Sequence, residues 1–310
     1  MALGIGDDAA LLDSTPGQQL VMASDTLVEG VHFPASASAG QIGSRALCVN
    51  LSDMAAMGAT PRWFTLALTL PKEKANDQWL AGFSGAIAEI ASKYNIALVG
   101  GDTTNGPLTV SLTLLGEVPA GDALQRSGAQ PGDRVFVTGT LGDGAAGLKL
   151  AINDNRIKNV SDRLLQRFYS PCPQIETGLR LRRIASACID ISDGLVADLG
   201  HICQSSGVSA TISTEQLPIA EDVRQMAADQ AVSWALNGGD DYQLCFTVSA
   251  DKLAAMQQLI EESELDVTAI GTIDTAAEAN SVEKSGLVTV LDRNGDSVEI
   301  HQQGYKHFGQ

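Results

Sequence analysis

The sequence predicts a two-domain α/β protein, and three observations predict it. The chain has 310 residues, which at roughly 150 residues per domain suggests two domains. Strand-length apolar runs alternate with stretches of helical periodicity through its first part. The alternation restarts after Pro119 to Pro131, a stretch rich in Pro, Gly and polar residues that reads as the connection between domains. The expected division is 1–118 and 119–310.

Leu20 to Ala23 reads as a strand. Ile42 to Met57 reads as a helix, with Ile42, Ala46, Val49, Met54 and Met57 close to a 3.6-residue spacing and Pro61 beyond its end. Trp63 to Leu70 alternates like a strand, Asp77 to Tyr94 is helical, and Leu108 to Leu115 alternates again. Past the connection, Val135 to Thr138 and Gln243 to Val248 read as strands. Helices are expected at Ala145 to Ile152, Ser161 to Phe168, Gln174 to Ala185 and Leu195 to Ser205. Asn294-Gly295, between Leu287 to Leu291 and Ser297 to His301, is a hairpin signal.

The net charge of −17 argues against nucleic acid or anionic lipid as a partner through a basic surface. It leaves room for an anionic substrate bridged by a divalent cation. The five cysteines show no CxxC spacing and read as reduced thiols of a cytoplasmic protein. No secretory leader pattern and no membrane-length apolar run are present, so no membrane partner is expected.

Four apolar segments run into aspartates: Leu3 to Asp8, Leu20 to Asp25, Ala97 to Asp102 and Ala187 to Asp193. Such runs read as strands emerging at a sheet edge. Two bare carboxylates about 4 Å apart repel by roughly 4 kcal/mol at an effective dielectric near 20. Converging carboxylates therefore call for hard cations, Mg²⁺ above all. Each Asp alone reads as a turn or cap, and the set reads as a metal site. Asp53 lies inside an otherwise apolar helix, between Leu51 and Met54, where a carboxylate needs a partner or a metal. Asp190 and Ser192 share one strand face, and Asp193 also suits a helix N-cap. His32, in a loop, and Asp240, after Gly238-Gly239, carry no signal on composition alone. Gly142 to Gly147 matches GxGxxG between a strand and a helix, which fits phosphate contact or a plain close-packed turn. No GxxxxGK[ST] loop occurs.

Several blocks together resemble the thiamine-monophosphate kinase family, part of the ATP-binding superfamily that includes aminoimidazole ribonucleotide synthetase and selenophosphate synthetase. They are Gly4 to Asp8, Ser24 to Phe33, Asn50 to Ala59 with Pro61, Gly100 to Thr104, Arg126 to Ala129, Val137 to Gly139, Asp190 to Leu195, Gly238 to Tyr242 and Gly304 to Phe308. The resemblance implies a two-domain aminoimidazole ribonucleotide synthetase-like fold, with an N-terminal domain that dimerises and a C-terminal αβ domain that closes over the nucleotide. It implies several Mg²⁺ ions on Asp8, Asp25, Asp53, Asp102 and Asp190, with Ser24 assisting and Asp193 close by. It implies ATP on Gly101, Asp102, Arg126 and Ser192, and thiamine monophosphate on His32, Asp240 and Tyr305. The implied partners are ATP, thiamine monophosphate and a second copy of the chain. The family has Glu where this chain has Asp240, and a segment ahead of Gly4 where this chain has three residues, so N-terminal packing is expected to differ.

The implied reaction is phosphoryl transfer from ATP to a phosphate. An acceptor phosphate, with a second pKa of about 6, is already ionised near neutral pH, so no general base is assigned. Three other readings stand beside it: another superfamily member acting on a different small molecule, an NAD-dependent oxidoreductase built on Gly142 to Gly147, and a metal- or nucleotide-binding protein without turnover.

Overall fold

The structure is a computed structural model that describes residues 4–6, 8–152, 160–276 and 287–299, with the backbone alone for Val160 and Ser161. Its first part is a four-stranded sheet with β1 (Gln18–Val28), β2 (Thr60–Leu70), β3 (Ala97–Asn105) and β4 (Thr109–Pro119) in the order β1-β4-β2-β3. Helices α1 (Ala39–Ala56) and α2 (Asp77–Lys93) connect these strands. β2 and β3 are parallel, and the other pairs are antiparallel.

The second part is a six-stranded mixed sheet. It holds β5 (Arg134–Thr138), β6 (Ala185–Asp190), β7 (Val208–Ser213), β8 (Leu244–Val248), β9 (Val267–Thr275) and β10 (Val288–Leu291), in the order β10-β7-β9-β5-β8-β6. Helices α3 (Asp143–Ile152), α4 (Val160–Tyr169), α5 (Ile175–Leu181), α6 (Leu195–Ser206), α7 (Glu221–Met226), α8 (Ala231–Asn237) and α9 (Leu253–Ser263) complete it.

Helix α1 joins the two parts. A capping box starts it: Ser38 Oγ accepts from the Gln41 amide, and Gln41 Oε1 accepts from the Ser38 amide. Gly58, at φ 59°, ends it in the left-handed conformation. Thirteen of its 18 residues are buried, so it has core on every side and not one apolar stripe. Ile42, Leu47, Leu51 and Met54 share one core with Phe64, Leu112 and Leu114 of the first sheet and with Phe136, Phe246 and Val248 of the second. A second core lies on the far face of the six-stranded sheet. There Val135, Val137, Ile189 and Cys245 meet Leu199 and Ile202 of α6. β5 and β8 are thus apolar on both faces, as interior strands require.

The expected strands and helices are present, with bounds that differ for physical reasons. β1 and β3 do not stop at Asp25 and Asp102 but run on to Val28 and Asn105. Polar residues extend the β1–β4 ladder through cross-strand bonds, Ser24 to Thr113 at 3.1 Å and Thr26 to Ser111 at 2.7 Å. α5 is shorter than the pattern suggests. Arg183 takes a left-handed φ of 62°, and Ala185 already pairs with Val248 in β6. The Asn294-Gly295 turn forms, with Leu291 bridging Ser297, while the end of its expected second strand lies outside the described residues. β7, β9 and α9 carry no clear sequence signal; α9 buries only Met256. Four cysteines are buried, Cys172 is exposed, and none is paired. Among the described residues no helix is long and apolar enough to cross a membrane.

α5 meets α1 where a Cβ on Gly178 would lie 2.1 Å from the Ala55 carbonyl oxygen. Gly178→Ala must push the helices apart and should cost about 1–3 kcal/mol, as overpacked sites do. Urea denaturation reads this, and an unchanged midpoint would show that the approach is not tight.

Candidate active site

The buried seam between α1 and the two sheets gathers three aspartates. Asp25 comes from β1, Asp53 from α1 and Asp190 from the end of β6. α1 sets their places directly. Asn50 Oδ1 accepts from the Asp25 amide at 3.1 Å, and Ser52 Oγ donates to Asp190 Oδ2 at 2.8 Å. Burial, then Asp190 and Asp25, push the Asp53 carboxyl up to about 8. Burial likewise raises Asp25 and Asp190. The Arg126 guanidinium pulls Asp53 and Asp190 the other way and offsets only part of the repulsion. These are hard oxygen donors whose ionisation burial and like charge oppose until a cation offsets it, a set that suits Mg²⁺. Among the described residues no three His, Cys, Asp or Glu side chains converge on one point. Mg²⁺ sites commonly use one or two carboxylates with substrate phosphates completing the shell, so the donor set still fits.

Two turns of α1 away from Ser52, about 10 Å along the axis, lies a second polar cluster. Arg45 is 2% exposed, and its guanidinium bonds three segments. Nε donates to the His32 carbonyl at 3.0 Å, Nη1 to the Phe168 carbonyl at 2.6 Å, and Nη2 to Asp240 Oδ1 at 2.6 Å. It also stacks on the Phe168 ring, 4.1 Å from its centroid. The Tyr242 hydroxyl donates to the same Asp240 oxygen at 3.2 Å. Asp240 at φ 71° and Tyr242 at φ 50° are both left-handed, a strained pair of the kind that clusters at functional sites. His32 Nδ1 accepts from the Val28 amide at 3.0 Å, which places the ring proton on Nε2. His32 and Asp240, from opposite parts of the chain, thus share one guanidinium.

The β6–α6 turn holds Ser192 and Asp193. Its helix is not capped by Asp193; the N-cap is Gly194, with no side-chain cap bond. Instead Asp198, inside α6, turns back. Its Oδ2 accepts the amides of Ser192, Asp193 and Gly194 at 3.0, 3.0 and 3.1 Å. The Ser192 carbonyl in turn accepts from the Asp240 amide at 2.9 Å. The Ser192 turn and the Asp240 loop are therefore in direct contact.

Other expected residues stand apart. Ser24 lies on the opposite face of β1 from Asp25, by the period of two, and bonds Leu112 and Thr113. Asp8 is exposed in the stretch before β1. Gly101 and Asp102 lie on β3, three inter-strand spacings or about 14 Å from the Asp25 row. Gly101 has a structural reason to be glycine, since at φ +155° a Cβ would sit 1.9 Å from the Leu66 carbonyl oxygen. Tyr305 lies outside the described residues.

Gly142 to Gly147 opens α3, as expected, but its amides are taken. Asp241 accepts from Gly142 at 2.8 Å and from Gly144 at 2.9 Å. Cβ atoms at Gly144 and Gly147 would come within 2.4 Å of Asp240 and 2.3 Å of the Leu164 carbonyl oxygen. The motif is a close-packed turn around a buried carboxylate, which removes the basis of the dinucleotide reading. Sequence reasoning missed Arg45, Asp198 and Asp241. Asp198 carries the signal that revealed Asp53, a carboxylate in an apolar helical stretch. Arg45 has a similar one, in Ala46-Leu47-Cys48.

The Asp53 shift sets a pH dependence. A carboxyl with a higher pKa folded than unfolded stabilises the fold fully below its unfolded value, near 4, and that stability is lost as pH climbs through about 8. The metal-free chain should therefore melt progressively lower between about pH 4 and 8, and Asp53→Asn should flatten that slope and raise the melting point at pH 8. Calorimetry in chelator checks it; parallel slopes for the two proteins would exclude Asp53 as the source.

The chain is similar to known proteins in both sequence and fold. Residues 6–118 match the model of the AIR synthase related protein N-terminal domain, and residues 130–282 match that of its C-terminal domain. The chain is 44% identical over 308 residues to the thiamine-monophosphate kinase of Salmonella typhimurium, covering 98% of this chain and 91% of the relative. It is 37% identical to that of Bacillus subtilis, covering 99% and 93%. The crystal structure of thiamine-monophosphate kinase from Stenotrophomonas maltophilia superposes with a TM-score of 0.86 at 44% identity, covering 96% of this chain and 92% of that one. AaThiL complexed with AMPPCP and TMP superposes with a TM-score of 0.82 at 33% identity, covering 98% and 92%. Full-length sequence similarity, both domain matches and the shared fold show that the chain belongs to the thiamine-monophosphate kinase family of AIR synthase-related proteins.

Proposed function

We propose that the chain transfers the γ-phosphoryl group of ATP to the phosphate of thiamine monophosphate. A bond forms between an acceptor phosphate oxygen and the γ-phosphorus, the bond from that phosphorus to the β–γ bridging oxygen breaks, and thiamine diphosphate and ADP leave. The observation that carries this reading is the set of Asp25, Asp53 and Asp190, like charges brought together at the seam of a chain of this family. A relative of known structure holds both an ATP analogue and TMP.

Asp25, Asp53 and Asp190, with Asp193 close by, would hold Mg²⁺, which supplies the charge neutralisation that lets two anionic phosphates approach. Arg126 and the Ser192 turn face the nucleotide phosphates. His32 lines the acceptor site, and Asp240 faces the cationic thiamine moiety. Positioning and electrostatics carry such a reaction, and the ionised acceptor needs no general base. The roles of Asp8, Ser24, Gly101, Asp102 and Tyr305 rest on the family resemblance.

We divide the chain into a domain 1–118 and a closing domain 119–310. The first domain also offers a dimer face. Leu20 and Met22 of β1 are 58% and 73% exposed on the sheet surface that α1 does not cover. An uncovered apolar sheet face favours a second copy. The reduced cysteines favour the cytoplasm, which cell fractionation checks.

ADP release decides the activity. It should require both thiamine monophosphate and Mg²⁺. Asp25→Asn and Asp53→Asn should each lower kcat by about 100-fold or more, since displaced reacting groups lose that much. Wild-type turnover in either variant would remove that carboxylate from the site; no ADP from any phosphorylated acceptor would sink the reading. For the dimer, Met22→Asp should shift the chain to monomer by light scattering, and an unshifted mass would place the interface elsewhere.

A further inference from the structure

Asp240 presents its two oxygens unequally. Oδ1 accepts from both Arg45 Nη2 and the Tyr242 hydroxyl. No described residue bonds Oδ2, and the side chain is 22% exposed, so the second oxygen stays available. Both donors are fixed. The Arg45 guanidinium is locked by two backbone carbonyls and the Phe168 ring. Tyr242 stays protonated, because burial and Asp240 push its hydroxyl well above the ordinary range. Its amide is held by the Ile191 carbonyl at 2.8 Å.

We infer that Arg45 and Tyr242 are positioning residues for the acceptor: they anchor Asp240 through Oδ1 so that Oδ2 faces the cationic substrate, while Arg45 fixes the His32 loop to the same point. The inference rests on the reading that Asp240 and His32 line the acceptor site. Four observations carry it. One planar guanidinium bonds both loops, which come from opposite sheets. Arg45 is almost wholly buried, so its charge cannot be satisfied by water. The backbone at Asp240 and Tyr242 is held left-handed. The Arg45 anchor and the Ser52–Asp190 bond lie two helical turns apart on one face of α1, about 10 Å. An acceptor with linked heterocycles at one end, one of them cationic, and a phosphate at the other spans that arrangement, the rings toward Asp240 and the phosphate toward the carboxylates. Arg45 also makes the acceptor pocket depend on both parts of the chain: moving the six-stranded sheet away from α1 would take Asp240 off its anchor.

Steady-state kinetics on the full chain, with thiamine monophosphate and ATP varied in turn, test this. Tyr242→Phe removes one hydroxyl and keeps the packing. It should raise KM for thiamine monophosphate about 10-fold, as expected from losing one hydrogen bond to a charged group. KM for ATP should hold within about twofold. Arg45→Lys keeps the charge, loses the planar fork and should act in the same direction. The loss in Tyr242→Phe/Asp240→Asn should not exceed that in Asp240→Asn, because the hydroxyl works only through the carboxylate. An unchanged KM for thiamine monophosphate in both single variants, with Asp240→Asn raising it, overturns the inference and leaves the acceptor-site reading intact. An unchanged KM in Asp240→Asn as well overturns both. A lowered melting point with unchanged kinetics would make Arg45 a structural strut and also overturn it. If Arg45→Lys does not fold, Tyr242→Phe decides alone.

Discussion

Burying one helix between two sheets is the constraint on which everything else depends. α1 is covered on all sides, so each polar side chain it carries must find a partner within the seam. Arg45, Asn50 and Ser52 do so, and each partner belongs to a different segment: the Asp240 loop, β1 at Asp25 and β6 at Asp190. The buried polar groups therefore fix the register of the two parts as well as the core does. A shift of α1 by one residue would strand a guanidinium, an amide and a hydroxyl together. Their joint loss would cost more than any single apolar contact.

The seam treats its charges in two ways. At Arg45 and Asp240 the charges balance, and the guanidinium's bonds to His32, Phe168 and Asp240 give rigidity. At Asp25, Asp53 and Asp190 the charges are alike, and burial raises all three carboxyls. The first cluster balances its charge within the chain; the second leaves like charges for the cations of the proposed function to balance. One helix thus carries a permanent anchor and, about two turns away, a region whose stability depends on what binds there. Ligand binding and fold stability are coupled through that difference.

Much of this was legible in the sequence, for identifiable reasons. Asp53 declared itself because a carboxylate amid Leu51, Met54 and Ala55 contradicts the local pattern. The two-block architecture followed from periodicity and from one Pro- and Gly-rich connection. Strand ends were less legible, because Ser24, Thr26 and Asp102 continue their strands through cross-strand pairing that no local pattern encodes. The pairing of Arg45 with Asp240 spans 195 positions, beyond any local signal. His32 and Asp240 emerged from family blocks and not from composition. Gly142 to Gly147 shows the opposite failure, a correct local shape with its ligand supplied by the chain itself.

That failure bears on how phosphates are held under the proposed function. Helix N-termini are ready anion sites, and two of them face the seam. Both are already filled from within. Asp241 takes the Gly142 and Gly144 amides at α3. Asp198 takes the three amides ahead of α6. Burial pushes both carboxyls up to about 8, and neighbouring aspartates add to the rise while the amide donors resist it. With its helix dipoles spent on internal carboxylates, and without a lysine loop, the chain has little fixed positive charge for a triphosphate beyond Arg126. Under the proposed function, phosphate charge would then be met mainly by cations held at Asp25, Asp53 and Asp190. In that proposal an acidic protein would bind an anionic nucleotide and an anionic acceptor side by side.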